Sequence, residues 1–240
     1  MGTAEELNEL INRSSNIVFF GGAGVSVPSG IPDFRSDNGI YRKKYRYPAE
    51  VMLSHTFFVK KTEEFFDFYR NVMLYPDAAP NAAHLKLAEM EQKGKLSAVV
   101  TQNIDGLHQK AGSRNVFELH GSVHRNYCTK CGKFYPLSAV TGSEGIPRCS
   151  CGGIIKPDVV LYEESLDEDT VTGAVNAIAS CDLLIIGGTS MSVYPAAGLI
   201  RYMPAGAKLA IVNLSATSAD SSADLVIAEG IDRVFSEITV

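Results

Sequence analysis

The chain has 240 residues, 45% of them hydrophobic and 20% charged, and its 22 basic against 27 acidic side chains leave a formal net charge of −5. That composition excludes an intrinsically disordered chain, and the length suffices to bury a core without a disulfide scaffold. The acidic balance argues against a general nucleic-acid binder, which needs a basic face.

Residues 4–13 place Leu7, Leu10 and Ile11 at helical spacing, so a short amphipathic helix is predicted there. The apolar run Ile17-Val18-Phe19-Phe20 ends in Gly21-Gly22-Ala23-Gly24, the pattern of a buried strand running into a glycine turn. Residues 36–47 are polar, aromatic and basic without a period and are read as a loop. Residues 57–74 are helical in character, and a helix is predicted over 81–93 from its Pro-Asn start. Strands are predicted at 96–101, 116–119, 183–187 and 209–213, and helices at 106–110, 170–179, 194–203 and 231–238. Apolar strands alternating with helices imply an α/β fold, a Rossmann-like parallel sheet with helices on both faces. Residues 123–156 break that rhythm and read as an insertion with its own stabiliser.

No basic, apolar leader opens the chain, and its longest apolar runs are strand-length. Neither a secretory signal nor a membrane span is therefore expected, and a cytoplasmic setting follows. Five cysteines are present, four of them in Cys128-Thr129-Lys130-Cys131 and Cys149-Ser150-Cys151, with 17 residues between the pairs. That spacing resembles a zinc ribbon, so Cys128, Cys131, Cys149 and Cys151 are expected to hold one structural Zn²⁺. The second pair is one residue short, so a strained turn is expected. Cys181 reads as a small core residue.

The turn Gly22-Ala23-Gly24-Val25-Ser26 suits a phosphate, with a helix N-terminus behind it. The third glycine of the dinucleotide fingerprint is replaced by Val27, which disfavours a hydride-transferring oxidoreductase. Gln102-Asn103-Ile104-Asp105 and Glu118-Leu119-His120-Gly121 each follow a predicted strand. Ligands of open α/β sheets bind beyond those strand ends. Of the five histidines only His120 combines a strand end with a following glycine, which makes it the expected proton acceptor.

Taken in order, these segments closely resemble the sirtuin family of NAD-dependent protein deacylases. The carrying motifs are Gly22–Ser26, Ser29–Arg35, Thr101–His108, Glu118–Ser122, the cysteine cluster, Gly188-Thr189-Ser190, Val193, Pro195 and Val212-Asn213. The resemblance implies that Gly22, Ala23, Gly24 and Arg35 take the NAD phosphates, that Phe34 shields the glycosidic carbon, and that Gln102 contacts the ribose. It implies a nicotinamide pocket of Asn103, Ile104 and Asp105, and an adenosine site of Gly188, Thr189, Ser190 and Asn213. Val159, Val160, Leu161 and Glu164 match the segment that pairs with an acyl-lysine peptide. The implied reaction moves the acyl group from lysine to ADP-ribose, releasing nicotinamide and 2′-O-acyl-ADP-ribose, with His120 as general base and Asn103 and Asp105 assisting.

The resemblance also divides the chain. Residues 1–35, 76–122 and 157–240 would form the large NAD-binding domain, and residues 36–75 and 123–156 a small domain with a helical and a zinc-binding part. A monomer is expected, with no specific nucleic acid and no membrane as partner. Beside the short second cysteine pair, one departure stands out. Tyr162-Glu163-Glu164 occupies the place of the usual Phe-Gly-Glu, suggesting a preference for basic residues around the acylated lysine. The Tyr-x-x-Arg pair of members that remove acidic acyl groups is missing, because Val72 follows Tyr69 by three, which favours an uncharged acyl group; Arg70 lies nearby. The competing readings are a protein mono-ADP-ribosyltransferase on the same fold and a non-catalytic nucleotide sensor.

Overall fold

The structure, a computed structural model, describes residues 2–36, 38–42 and 44–240. Nine strands occur among the described residues: β1 (Ile17–Gly21), β2 (Leu96–Thr101), β3 (Val116–Glu118), β4 (Gly121–Cys128), β5 (Phe134–Pro136), β6 (Ile155–Val159), β7 (Leu183–Gly187), β8 (Lys208–Val212) and β9 (Leu225–Ile227). The α-helices are α1 (Ala4–Arg13), α2 (Ala49–Met52), α3 (His55–Lys60), α4 (Thr62–Phe68), α5 (Ala82–Gln92), α6 (Leu107–Ala111), α7 (Ser138–Thr141), α8 (Glu168–Ser180) and α9 (Ile231–Glu237). No helix among them is long and apolar enough to cross a membrane.

Six strands form one parallel sheet in the order β3-β2-β1-β7-β8-β9. Successive side chains of a strand face opposite sides. Phe19 and Ile185 therefore pack with Leu7, Leu87 and Phe235 on one face, while Val18, Phe20, Leu184 and Ile186 pack with Ala174, Ile178 and Leu199 on the other. Both faces are dry, which is why these strands read as unbroken apolar runs. The chain steps outward from β1 through β2 to β3, then restarts at β7 on the opposite side of β1. That reversal opens a crevice beyond the carboxyl ends of β1 and β7.

The small unit joins the two insertions. Strands β5-β4-β6 form an antiparallel sheet. Phe57, Phe65, Phe66 and Tyr69 share one core with Val123, Val140, Ile155 and Val159. Strand β4 begins at Gly121 and β6 ends at Val159, so the small sheet reaches directly into the crevice.

Some elements differ from expectation. The helical stretch 57–74 is broken at Lys61, which leaves helical geometry at φ −137°, ψ 51°. Two short helices and a π-helical turn, Tyr69–Met73, wrap their aromatic side chains around the shared core instead. The segment after Pro195 is a 3₁₀ helix, Ala196–Tyr202, rather than an α-helix. Within the predicted loop 36–47 a 3₁₀ turn spans Ile40–Arg42; Asp37 and Lys43 lie outside the described residues. Strand β9 is three residues long at the sheet edge, too short to show a period.

Candidate active site

At the crevice lies a cavity of about 740 Å³, within the range of small-molecule and cofactor sites. Its walls include Ala23, Gly24, Phe34, Arg35, Gln102, Asn103, Ile104, Asp105, His120, Val159, Val160, Leu161, Glu164, Gly188, Thr189, Ser190 and Asn213. Gly22 sits behind the wall and donates its N–H to Gly187 O at 3.2 Å. The two glycine turns press together: Gly24 N donates to Gly188 O at 2.8 Å, and a Cβ on Gly24 would lie 2.8 Å from Gly188 Cα. Only a bare backbone fits there. The expected helix behind this turn is absent. Two 3₁₀ turns, Ala23–Val25 and Val27–Ser29, take its place, so the turn presents amides without an aligned helix dipole. Beyond β7 and β8, Thr189 N donates to Asn213 Oδ1 at 3.0 Å and Asn213 Nδ2 to Thr189 O at 2.6 Å.

A buried polar chain supports the floor. Asn103 Nδ2 donates to Ser26 Oγ at 3.0 Å, and Ser26 Oγ donates to Asp105 Oδ2 at 2.7 Å. Asp105 Oδ1 accepts from Leu107 N at 2.9 Å. His124 braces the same turn by donating Nε2–H to the Asp105 carbonyl at 3.0 Å. Ser26 is only 1% exposed, and its hydroxyl fixes two side chains of the cavity.

His120 follows β3 and places Nδ1 3.0 Å from Gln102 O. A carbonyl only accepts, so Nδ1 carries the proton and the neutral ring keeps its lone pair on Nε2. Burial lowers the His120 pKa below its ordinary value, and the bond to Gln102 O partly opposes the shift. The imidazole is thus a neutral base at pH 7. His84 and His108, 4.7 Å apart between ring centroids, are fully buried behind the cavity. Desolvation brings His84 to about 4 and His108 to about 3. Both are neutral core residues.

The segment 159–164 forms the wall beside His120. Val160 N donates to His120 O at 3.0 Å, Tyr162 N to Leu53 O at 3.0 Å and His55 N to Tyr162 O at 2.9 Å. Glu164 joins His55 Nδ1 at 2.8 Å, Lys156 Nζ at 3.1 Å and Leu161 N at 2.9 Å. Glu163 adopts φ +76°, the left-handed region that favours glycine, and its carboxylate accepts from Thr56 N at 2.8 Å in the first turn of α3. The strain and the added hydrogen bond oppose each other. Glu163→Ala keeps the strain and loses the bond, whereas Glu163→Gly relieves the strain. The alanine variant is therefore expected to be less stable than the glycine variant by about 1 kcal/mol, or about 2–4 °C in melting temperature; equal melting curves would contradict this account.

Arg70 does not face the cavity, although Val72 lines it. Its guanidinium is held by Val140 O at 2.8 Å, Ser143 Oγ at 2.8 Å and Gly145 O at 2.5 Å. It ties the helical insertion to the cysteine-bearing one.

The four cysteine sulfurs lie within 4.8 Å of one another, with Cys128–Cys151 at 3.4 Å and Cys131–Cys149 at 3.7 Å. A tetrahedron of Zn–S bonds of ~2.3 Å has edges of about 3.8 Å, so these four thiols fit one zinc ion and leave no position open. The expected strain in the short second pair is not seen. Left-handed geometry there falls on Gly152 at φ +82°, which carries it without steric cost. Tyr135 donates its hydroxyl to Cys149 Sγ at 3.0 Å. The Cys151 backbone N–H and that hydroxyl lower the Cys149 thiol to about 6, while the neighbouring cysteine thiols and burial push Cys151 up to about 12.

Sequence reasoning did not single out Ser26, His124, Tyr41 or Tyr135. Ser26 stood inside the quoted glycine motif, but its partners Asn103 and Asp105 lie 77 and 79 residues away.

Comparison with known proteins places this geometry. The Sir2 family model matches residues 22–195. An NAD-dependent protein deacetylase of Clostridium acetobutylicum is 60% identical over 237 residues, covering 97% of this chain and 96% of the relative. A solved Sir2 complex with a p53 peptide and NAD⁺ superposes with a TM-score of 0.85 at 38% identity, covering 98% of this chain and 96% of the other. A solved structure of Sir2Tm bound to a propionylated peptide gives a TM-score of 0.87 at 37% identity with the same coverage. The chain belongs to the Sir2 family.

Proposed function

We propose that this chain is an NAD-dependent protein lysine deacetylase. The observation that carries the reading is His120, whose free Nε2 belongs to the cavity wall shared by the glycine turn and the segment 159–164. When bound, NAD supplies the ribosyl acceptor and the nicotinamide leaving group. The phosphates would lie against the turn of Ala23 and Gly24, where the Gly24 N–H is already held by Gly188 O and its bare backbone gives room, with Arg35 as counter-charge and Gly22 supporting the turn. Gly188, Thr189, Ser190 and Asn213 hold the adenosine half, and Gln102 the ribose.

Asn103, Ile104 and Asp105 would receive the nicotinamide, with the Asn103 and Asp105 side chains oriented by the Ser26 hydroxyl. Phe34 covers the reacting carbon and excludes water. After the acyl oxygen displaces nicotinamide at the anomeric carbon, His120 Nε2 would take the proton of the ribose hydroxyl that attacks the acyl carbon, and water would complete the transfer, so that lysine leaves free and the acyl group ends on ADP-ribose. Val159, Val160, Leu161 and Glu164 line the path of the peptide. Residues 36–75 and 123–156 act as the small unit against the large unit of 1–35, 76–122 and 157–240. An uncharged acyl group is preferred, because the Arg70 guanidinium is spent on Val140, Ser143 and Gly145. Glu163 biases the site toward basic flanks.

The test is to incubate the protein with NAD and an acetyl-lysine peptide and to weigh the products. O-acetyl-ADP-ribose beside free-lysine peptide is expected. A peptide heavier by ADP-ribose, or nicotinamide release that needs no acylated peptide, would overturn the assignment.

A further inference from the structure

Two tyrosines bridge walls that are otherwise separate in sequence. The hydroxyls of Tyr41 and Tyr162 lie 2.5 Å apart, 121 residues distant along the chain. Tyr41 is tied to the turn before it: Tyr41 N donates to Phe34 O at 2.9 Å, and the Phe34 and Tyr41 rings sit 5.4 Å apart. The Arg35 guanidinium lies over the Tyr41 ring at 5.4 Å. Burial and the bond to Tyr162 push the Tyr41 phenol well above the usual tyrosine range, so it stays neutral, and either hydroxyl can donate to the other. Tyr162 is held through its backbone by Leu53 and His55, and two residues before it Val160 N reaches His120 O. A continuous route thus runs from Phe34 and Arg35 through the hydroxyl pair and along 160–162 to His120.

We infer that the Tyr41–Tyr162 hydroxyl pair is a latch that couples cofactor binding at Phe34 and Arg35 to ordering of the peptide segment 159–164. This rests on the reading of that segment as the peptide site. Neither hydroxyl is a catalytic group; both are positioning groups. Binding on one side sets the loop, the loop sets Tyr162, and the peptide meets a segment already in place. By linkage the peptide must favour the cofactor by the same factor.

The experiment measures peptide affinity by calorimetry, with and without an NAD analogue whose nicotinamide bond cannot break. Wild-type protein, Tyr41→Phe, Tyr162→Phe and the double variant are compared. Each removes one oxygen atom, and melting curves check that the fold survives. Wild type is expected to bind peptide on the order of 5–150-fold more tightly with the analogue. Each single variant should lose about fivefold of that coupling, and the double variant no more than either single one. Peptide KM should rise while kcat stays within about twofold.

Unchanged coupling in both single variants, additive losses, or no coupling in wild type would overturn the latch. A photoreactive acetyl-lysine peptide separates the two layers. Absence of cross-links to residues 159–164 in wild type overturns the site reading. Cross-links retained with coupling intact in Tyr162→Phe overturn the latch alone.

Discussion

Replacing His120 with alanine is expected to lower kcat for deacetylation by at least ~10²–10⁴-fold, the range typical for loss of a general base. The loss should exceed that range where His120 also orients the ribose. No other histidine can take over. His84 and His108 are buried behind the cavity, His124 Nε2 is engaged by the Asp105 carbonyl, and His55 Nδ1 by Glu164. The pH profile follows from the same environment. Burial lowers the His120 pKa, so the neutral base persists below the ordinary histidine value of about 6.5. The acid limb of kcat/KM should therefore fall below that pH, and the limb should disappear in His120→Gln. Near-normal turnover in His120→Ala would refute the role.

Removal of the metal is expected to unfold the small unit and abolish activity together. Structural zinc sites supply ~10–16 kcal/mol of binding free energy in peptides at neutral pH, as much as a whole domain's net stability of about 5–15 kcal/mol. The cysteine cluster shares its core with Phe57, Phe65 and Tyr69, because Cys128 and Cys149 pack into the same apolar cluster. Strand β6 continues from that cluster to Val159 at the cavity wall. Loss of the metal should thus be felt at the active site. Metal analysis is expected to find one zinc per chain, falling toward zero in Cys131→Ser, with a melting transition lowered in step. Full activity in verified metal-free protein would sink the assignment.

The most legible features were those written in short stretches of chain. The apolar runs of β1, β2, β7 and β8 show in the sequence because both faces of the sheet are buried. The C-x-x-C and C-x-C pairs show because chelation is a local geometric demand. The glycine turn and His120-Gly121 show because close backbone approach and an open strand end each need particular residues. Less legible was the helical insertion. Its phenylalanines have no single face, and a break at Lys61 lets them surround one core.

The sequence alone therefore determined the α/β class, the family resemblance, the four thiol ligands and the candidate base. Each rests on neighbouring residues whose chemistry does not depend on distant partners. Only the tertiary structure decided that Ser26 joins Asn103 to Asp105, that Arg70 is spent within the small unit, that Glu163 bears a left-handed backbone, and that Tyr41 meets Tyr162. These depend on which side chains the fold brings within hydrogen-bond reach, and on the backbone angle a packed segment must take. A pattern of adjacent residues carries neither kind of information.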